Sequence, residues 1–433
     1  MRLRSANRNN SYNTWNQNST GNINNNNANN ANRFATVCVL KGHKGFSAGE
    51  ALPNTAQRAV TLARKGEQYY GDTSNFFMNL GVIHTMDNFY DDEILEKVIS
   101  FEAIFESMMK CKKGVIWKDS AASFHLNGIE QSLKLSRELS EGTYQGRPPK
   151  KFMITSPKPR EAVSIAFRDR VYQRSMNDNV IYPLMSQQFI KDNLACQQGK
   201  GTDRARERLE EFLHRFYRKH KLRGFVLKCD IHGYYPNMRH DVAEECFREK
   251  LPPVIYRRTE TVLREQYKDA VGYNPGSQLI QIAGISVLSP LDHYIKEQLR
   301  IKYYLRYMDD FILIHEDEEY LKNCQLKIDE FLRKIGFELH PKKTHITPVS
   351  EKITFLGFEF RLTPTGKVVK TVTSETVRRK RRKLRHMVAK CKRGEMPREK
   401  VDNSFACDLE HLGKGNSFKL IQRYRAYYKN LWR

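Results

Sequence analysis

The chain has 433 residues, enough for two or three domains and a substantial core, and its 39% apolar content lies below the globular average. A formal charge of +25 excludes a charge-balanced housekeeping protein and predicts a polyanionic partner, nucleic acid ahead of a membrane surface. The eight cysteines contain no Cys-x-x-Cys pair, no apolar run is long enough to span a bilayer, and the amino terminus is Asn-rich, unlike a signal peptide; the expectation is a reduced, cytoplasmic protein with no zinc ribbon and no membrane partner.

More than half of the residues from Asn7 to Asn32 are Asn. Such a stretch cannot bury enough apolar surface to offset its ordering entropy, so a disordered extension and connector are expected over 1–89. From Tyr90 the pattern turns helical, with Ile94, Val98, Ile99, Phe101, Ile104 and Phe105 at helix-like spacing, and 117–139 reads as a second helical region. A β-prone stretch over 150–155 precedes a basic segment holding Arg160, Arg168 and Arg170. Gly199 and Gly201 flank Lys200 with a spacing wrong for a Walker loop, and a Lys/Arg-dense helix is expected over 203–221.

Phe225–Asp230 reads as a buried strand that ends on an acid. Asn274, Gly276 and Gln281 come next in a segment where glycine permits close approach. Over 303–315, two apolar β-prone runs flank Asp309 and Asp310, which predicts a strand, a tight turn carrying both acids, and a second strand. Adjacent carboxylates repel, and burying them calls for a cation. With Asp230 brought to the same place, three carboxylates suit two Mg2+ ions about 3.5–4 Å apart, a clamp for in-line phosphoryl transfer. A helix is expected over 320–336, then Lys342 and Lys343, then a β-turn at Phe355, Leu356 and Gly357. From Thr371 the chain becomes basic and helical, with Arg378, Arg379, Arg382 and Arg385 in its densest positive run and an aromatic, cationic tail that fits packing on that helix ahead of stacking on bases.

Tyr307-Met308-Asp309-Asp310, the upstream Asp230 strand and the ordered motifs between them resemble reverse transcriptases over roughly 101–433. The resemblance implies an α+β right-hand polymerase: fingers over 90–224, a palm with an antiparallel sheet over 225–360, and a basic helical thumb over 361–433. It implies Asp230, Asp309 and Asp310 as catalytic acids holding two Mg2+ ions, or Mn2+ as a substitute, with the Ile231 carbonyl as a further ligand. Arg160 then matches an arginine on the incoming triphosphate, with Arg168 second; the alternative is that Arg168 and Arg170 pair with Asp169 and Glu161. Tyr235 matches a steric gate against ribonucleotides. Gln281, with Gln278 as competitor, lies against the nucleotide, and Lys343, ahead of Lys342, is the cation near the leaving pyrophosphate. Lys200 would lie on template phosphates, Phe355, Leu356 and Gly357 on the primer end, and Arg378, Arg379, Arg382 and Arg385 on the product duplex.

The implied partners are an RNA template, a DNA primer or cDNA, and dNTPs. Within the family, the Asn-rich head and Gln281 resemble diversity-generating retroelements, in which adenine-rich template codons are mutated and a small basic accessory protein assists. The head then reads as a translated piece of template or target. Ile280 stands where that class has Ser. A retron or phage-defence enzyme is the alternative, and the intact acid triad argues against a non-catalytic RNA-binding relative.

Overall fold

The computed structural model describes residues 82–155, 159–267, 270–274 and 276–433, with side chains from residue 91 onward except that of Arg160. The Asn-rich head lies outside the described residues. Two units divide the chain at Ile94 and Leu95, and the second, Leu95–Arg433, carries the sheets and every helix after the first.

Helix α1 (Val82–Ile99) starts within the segment expected to be an unstructured connector, and the helical stretch read from Tyr90 to Phe105 is divided between it and the next helix at Ser100. Helices α2 (Phe101–Cys111), α3 (Asp119–Leu126) and α4 (Gly128–Ser140) come next, burying Ile104, Met108, Phe124, Leu135 and Leu139. Strands β1 (Lys150–Ile154) and β2 (Arg160–Ser164) pair antiparallel, Ile154 opposite Arg160. Helix α5 (Phe167–Met176) then runs directly into a π-helical turn, Asn177–Ile181.

The central sheet has the order β4 (Tyr303–Tyr307), β5 (Asp310–His315), β3 (Phe225–Asp230), β6 (His345–Pro348), with all pairs antiparallel. Helix α6 (Thr202–His220), grouped with the fingers from sequence, lays Leu209, Phe212 and Phe216 against Tyr303, Leu305 and Ile312 of this sheet. The apolar residues of β3, Val226, Leu227 and Cys229, are all but fully buried, as a central strand covered on both faces requires. Helix α7 (His240–Arg248) and helix α8 (Pro253–Gln266) lead to α9 (Gln278–Ser286), whose first turn is capped by the Ser277 hydroxyl accepting from Ile280 N. Helix α10 (Ser289–His293) precedes the β4–β5 hairpin, and α11 (Glu318–Lys334) comes after it, starting on an Asp317 cap.

A second sheet, β7 (Ile353–Phe355), β8 (Phe358–Leu362) and β9 (Val368–Val372), joins the palm to the carboxy-terminal helices. A boundary at 360/361 would cut through β8, and the carboxy-terminal helices follow Val372. Helices α12 (Ser374–Lys392), α13 (Arg398–Gly413) and α14 (Phe418–Trp432) close around Leu384, Val388, Val401, Leu412 and Tyr424. Asp408, buried there, accepts from Lys380 and, at 2.7 Å, from the Tyr424 hydroxyl. Phe405 stacks on Tyr428 with centroids 4.0 Å apart, so the aromatic tail packs into the thumb. The apolar core is continuous from α6 through both sheets to these helices.

Candidate active site

Register brings the acids together. Asp230 and Asp310 face one another as paired residues of β3 and β5, and opposed residues in an antiparallel pair lie about 4.5–5.5 Å apart at Cα. Tyr307 pairs with Asp310 across the hairpin, which leaves Met308 and Asp309 as its two turn residues. Met308 adopts φ +57°, the left-handed value that a two-residue hairpin demands and that a Met takes only under constraint.

The constraint is a buried arginine. Arg306 is 0% exposed. Its guanidinium donates to both Asp292 oxygens at 2.7 and 2.6 Å, to the Ile285 carbonyl at 3.0 Å and to the Met308 carbonyl at 3.0 Å. The Tyr304 hydroxyl completes Asp292 at 2.6 Å. Burial works against Arg306's charge, but Asp292 outweighs it and holds the guanidinium protonated above its ordinary range. The acid turn thus hangs from a fully satisfied buried ion pair.

The acids themselves are short of positive charge. Burial, opposed by Lys228 and reinforced by Asp309 and Asp230, pushes the Asp310 carboxyl up to about 7. Asp309 is raised as well, by burial first, with the Asp230 charge adding to it. Asp310 Oδ1 is buried with no hydrogen-bond partner. Two ammonium groups stand beside the site: Lys343 Nζ donates to Asp230 Oδ1 at 2.8 Å, and Lys228 Nζ lies 3.8 Å from Asp310 Oδ1. With those cations in place, no three acid, histidine or cysteine side chains among the described residues are drawn into a ready cage. An unpartnered buried carboxylate oxygen and an all-oxygen donor set nevertheless suit a hard divalent cation.

Residues 149–360 match the family described as reverse transcriptase (RNA-dependent DNA polymerase). This stretch is a reverse transcriptase domain. It takes in the fingers hairpin, the palm sheet, the acid turn and β7–β8, and the whole is the mixed right-hand polymerase fold expected from sequence. No curated protein sequence matches the chain. Among solved structures it is similar to telomerase from Candida albicans in complex with a telomeric RNA fragment, at 14% identity, TM-score 0.41, over 68% of this chain and 56% of that one. It is also similar to apo telomerase from Candida tropicalis: 17% identity, TM-score 0.39, over 56% of this chain and 60% of a carboxy-terminally truncated form, and 16% identity, TM-score 0.37, over 57% and 53% of the longer form. The chain thus spans between about half and three-fifths of the length of these neighbours.

Elsewhere in the reverse transcriptase domain, the Tyr235 ring packs on α9, where a Cβ built at Gly284 would lie 2.8 Å from its hydroxyl. That hydroxyl has no partner, and its ionisation is pushed upward by burial, with Cys196 and Asp309 adding. Gly276 has no room for a side chain because a Cβ would meet the Val163 carbonyl at 2.7 Å; the close approach is to strand β2 of the fingers. Ile231 is buried, so only its carbonyl is left to offer a metal. The backbone of Arg160 lies at the start of β2, and its side chain is outside the described residues.

Three expectations change. Arg168 binds Glu138 and lies over the Tyr144 ring with 5.1 Å to its centroid, so its guanidinium is spent within the fingers, on neither a phosphate site nor Asp169 or Glu161. Asp169 instead accepts from the Tyr144 hydroxyl and Arg147 N, both at 2.9 Å. Lys200 turns inward, donating to the Asn193 carbonyl at 2.7 Å and Gln197 Oε1 at 2.9 Å, and desolvation lowers its pKa; it braces the turn rather than reaching for phosphate. Phe355 is fully buried in the core, so at the β7–β8 hairpin only the tip, Leu356 (φ +46°) and Gly357 (φ +81°), is offered outward. On α12, Arg378, Arg379, Arg382 and Arg385 are exposed and form no ion pair among the described residues.

Sequence reading missed Lys228 and the Arg306–Asp292 pair. The signal was there in both cases: a cation inside an apolar strand must be paired or lie at a site. Lys228 shares a face with Asp230, two residues on, and donates to the Thr354 carbonyl at 2.8 Å. It therefore ties the β7–β8 hairpin to the acids.

Proposed function

We propose that the chain is an RNA-directed DNA polymerase that copies an RNA template into cDNA by nucleotidyl transfer at Asp230, Asp309 and Asp310. The observation that carries this is the pairing of Asp230 with Asp310 across β3 and β5, beside an acid turn pinned by Arg306. The carboxylates of Asp230, Asp309 and Asp310, with the Ile231 carbonyl, would hold divalent metal, two Mg2+ ions in this reading. Bound there, the metal would supply charge neutralisation for the attacking hydroxyl and the leaving pyrophosphate. Lys343 holds a proton beside the acids and would give it to the departing pyrophosphate. Tyr235, backed by α9, would exclude a ribose 2′-hydroxyl. Arg160 would orient the triphosphate by bidentate contact, the hairpin tip would support the primer end, and the α12 arginines would hold the product duplex.

We assign the enzyme to the diversity-generating retroelement type. Gln281 and the Asn-rich head support this assignment, which brings with it a small basic accessory protein as partner. No helix of the described residues is long and apolar enough to cross a membrane.

The test is primer extension on an RNA template. Wild-type protein should extend the primer with dNTPs, and Asp309→Ala or Asp310→Ala should lose incorporation by at least roughly 10³-fold with an unchanged circular dichroism spectrum. Incorporation retained in either variant contradicts the site. The retroelement type is tested in the flanking DNA, where a template repeat with a matching variable repeat changed at adenines is expected.

A further inference from the structure

Lys228 stands between two parts of the site that belong to different sheets. Its Nζ lies 3.8 Å from Asp310 Oδ1, a buried oxygen with no hydrogen-bond partner, and donates to the Thr354 carbonyl at 2.8 Å. Thr354 is the middle residue of β7, an edge strand of the second sheet, and edge strands carry backbone groups without a ladder partner. Two residues further on is Leu356, at the tip of the β7–β8 hairpin. The tip has an anchor of its own: Arg206 donates to the Leu356 carbonyl at 3.3 Å, lies over the Phe358 ring with 4.5 Å to its centroid, and pairs with Asp203. Arg206 thus fixes the tip to α6, whereas Lys228 fixes the strand before it to the acids.

The two ammonium groups beside the acids differ in what else they hold. The Lys343 side chain is 52% exposed and donates to Asp230 Oδ1. The Lys228 side chain is 18% exposed, and its charge is divided between a carboxylate just beyond hydrogen-bond reach and a carbonyl within it. An ammonium this enclosed is costly without partners. At its distance from Asp310, the ammonium attracts the carboxylate and repels any divalent cation placed on the same oxygen. Lys228 and such a cation therefore compete for Asp310. A Lys228 that yields the acid still has the Thr354 carbonyl, on a flexible stem of four carbons.

We infer that Lys228 is a positioning residue that couples a divalent cation on the acids to the seating of the primer end on the β7–β8 hairpin. This rests on the polymerase reading above. In that reading the primer end lies between the hairpin tip and the acid turn, so seating it presses the two apart. In the chain without a cation, Lys228 resists that movement through its hold on Asp310. With a cation on Asp310, Lys228 has already given up the acid and keeps Thr354 alone, and the hairpin moves without losing an ion pair. The two ligands then help one another, and by linkage each tightens the other by the same factor. Lys228 weakens the binding of the cation by itself and makes the cation and the primer end cooperate.

The experiment measures this coupling in binding, without turnover. The full chain is titrated onto a fluorescent DNA primer on an RNA template, read by anisotropy, at constant ionic strength with and without saturating Mn2+. The primer ends in a dideoxynucleotide and no dNTP is present, so no terminal hydroxyl ligates the ion directly. Wild-type protein should bind this primer–template at least about fivefold tighter with Mn2+. Lys228→Met should lower that factor below about twofold. With the competing ammonium gone, it should also bind Mn2+ alone about threefold or more tighter than wild type, followed by the free-ion electron paramagnetic resonance signal. Lys228→Arg keeps a cation that can span both oxygens and should restore the coupling; a lysine that merely holds the fold together predicts weaker Mn2+ binding in the Met variant. Thermal unfolding is recorded for each, and Lys228→Gln repeats the test if the Met variant does not fold. An equal factor in wild type and a folded uncharged variant, or Mn2+ bound no tighter by that variant, overturns the inference. If wild-type protein binds Mn2+ and primer–template without coupling, the inference alone falls. If it binds neither and does not extend a primer with a free hydroxyl, the polymerase reading falls with it.

Discussion

At the scale of single residues, the site is a balance between three acids and two lysines. Asp310 is pushed up to about 7 and Asp309 is raised because both are buried, with the Asp230 charge adding to each. An acid whose folded pKa exceeds its unfolded one makes the fold less stable as pH rises. Without metal, stability should therefore fall from about pH 4 to about pH 7 and level off above. Asp310→Asn should remove most of that slope and raise the metal-free melting temperature at pH 8 by a few degrees, measured by calorimetry; an unchanged slope would show that Asp310 titrates normally. Arg306 makes a separate prediction. Arg306→Leu strands the buried Asp292 and should cost roughly 3–5 kcal/mol, while Arg306→Leu with Asp292→Leu should recover much of it. Chemical denaturation of the two variants decides between this brace and mere packing, for which the double variant is the worse.

At the scale of elements, the β4–β5 hairpin and α9 do most of the positioning. Gly284 leaves room for the hydroxyl end of the Tyr235 ring against α9, so Gly284→Ala should displace the ring without touching the nucleotide. The expected result is a changed ratio of dNTP to NTP incorporation, by about tenfold, with the acid turn intact; an unchanged ratio would separate Tyr235 from sugar selection. Strand, turn and strand around Asp309 and Asp310 were legible in the sequence because two continuous apolar, β-prone runs and the acid pair occupy thirteen contiguous residues, 303–315. The convergence of Asp230 was legible as an expectation, since a buried strand that ends on an acid has few places to go. The use of Arg168, Lys200 and Phe355 was not legible. Whether a cation faces phosphate or folds back on a carbonyl depends on partners far along the chain, such as Glu138 for Arg168, and a motif carries no record of them. The π turn at Asn177 was equally hidden, because a one-residue widening of a helix leaves the apolar spacing nearly unchanged.

At the scale of the whole molecule, the +25 charge is not spread evenly in function. Arg378, Arg382 and Arg385 recur on one stripe of α12 at i, i+4 and i+7, exposed and unpaired among the described residues. Binding to a primer–template should weaken steeply with salt, and replacing these three arginines by Ala should lower the slope of log K against log salt by about two to three. An unchanged slope would move the duplex elsewhere on the chain. The central claim is narrower: Asp230, Asp309 and Asp310 act together on one cation-dependent centre, although Lys343 and Lys228 balance them when no metal is bound. Titration of the protein with Mn2+, followed by the loss of the free-ion electron paramagnetic resonance signal, tests this most directly. The account predicts saturable binding that strengthens as pH rises through about 7 and is lost in Asp230→Asn and in Asp310→Asn; equal binding in wild type and both variants would contradict it.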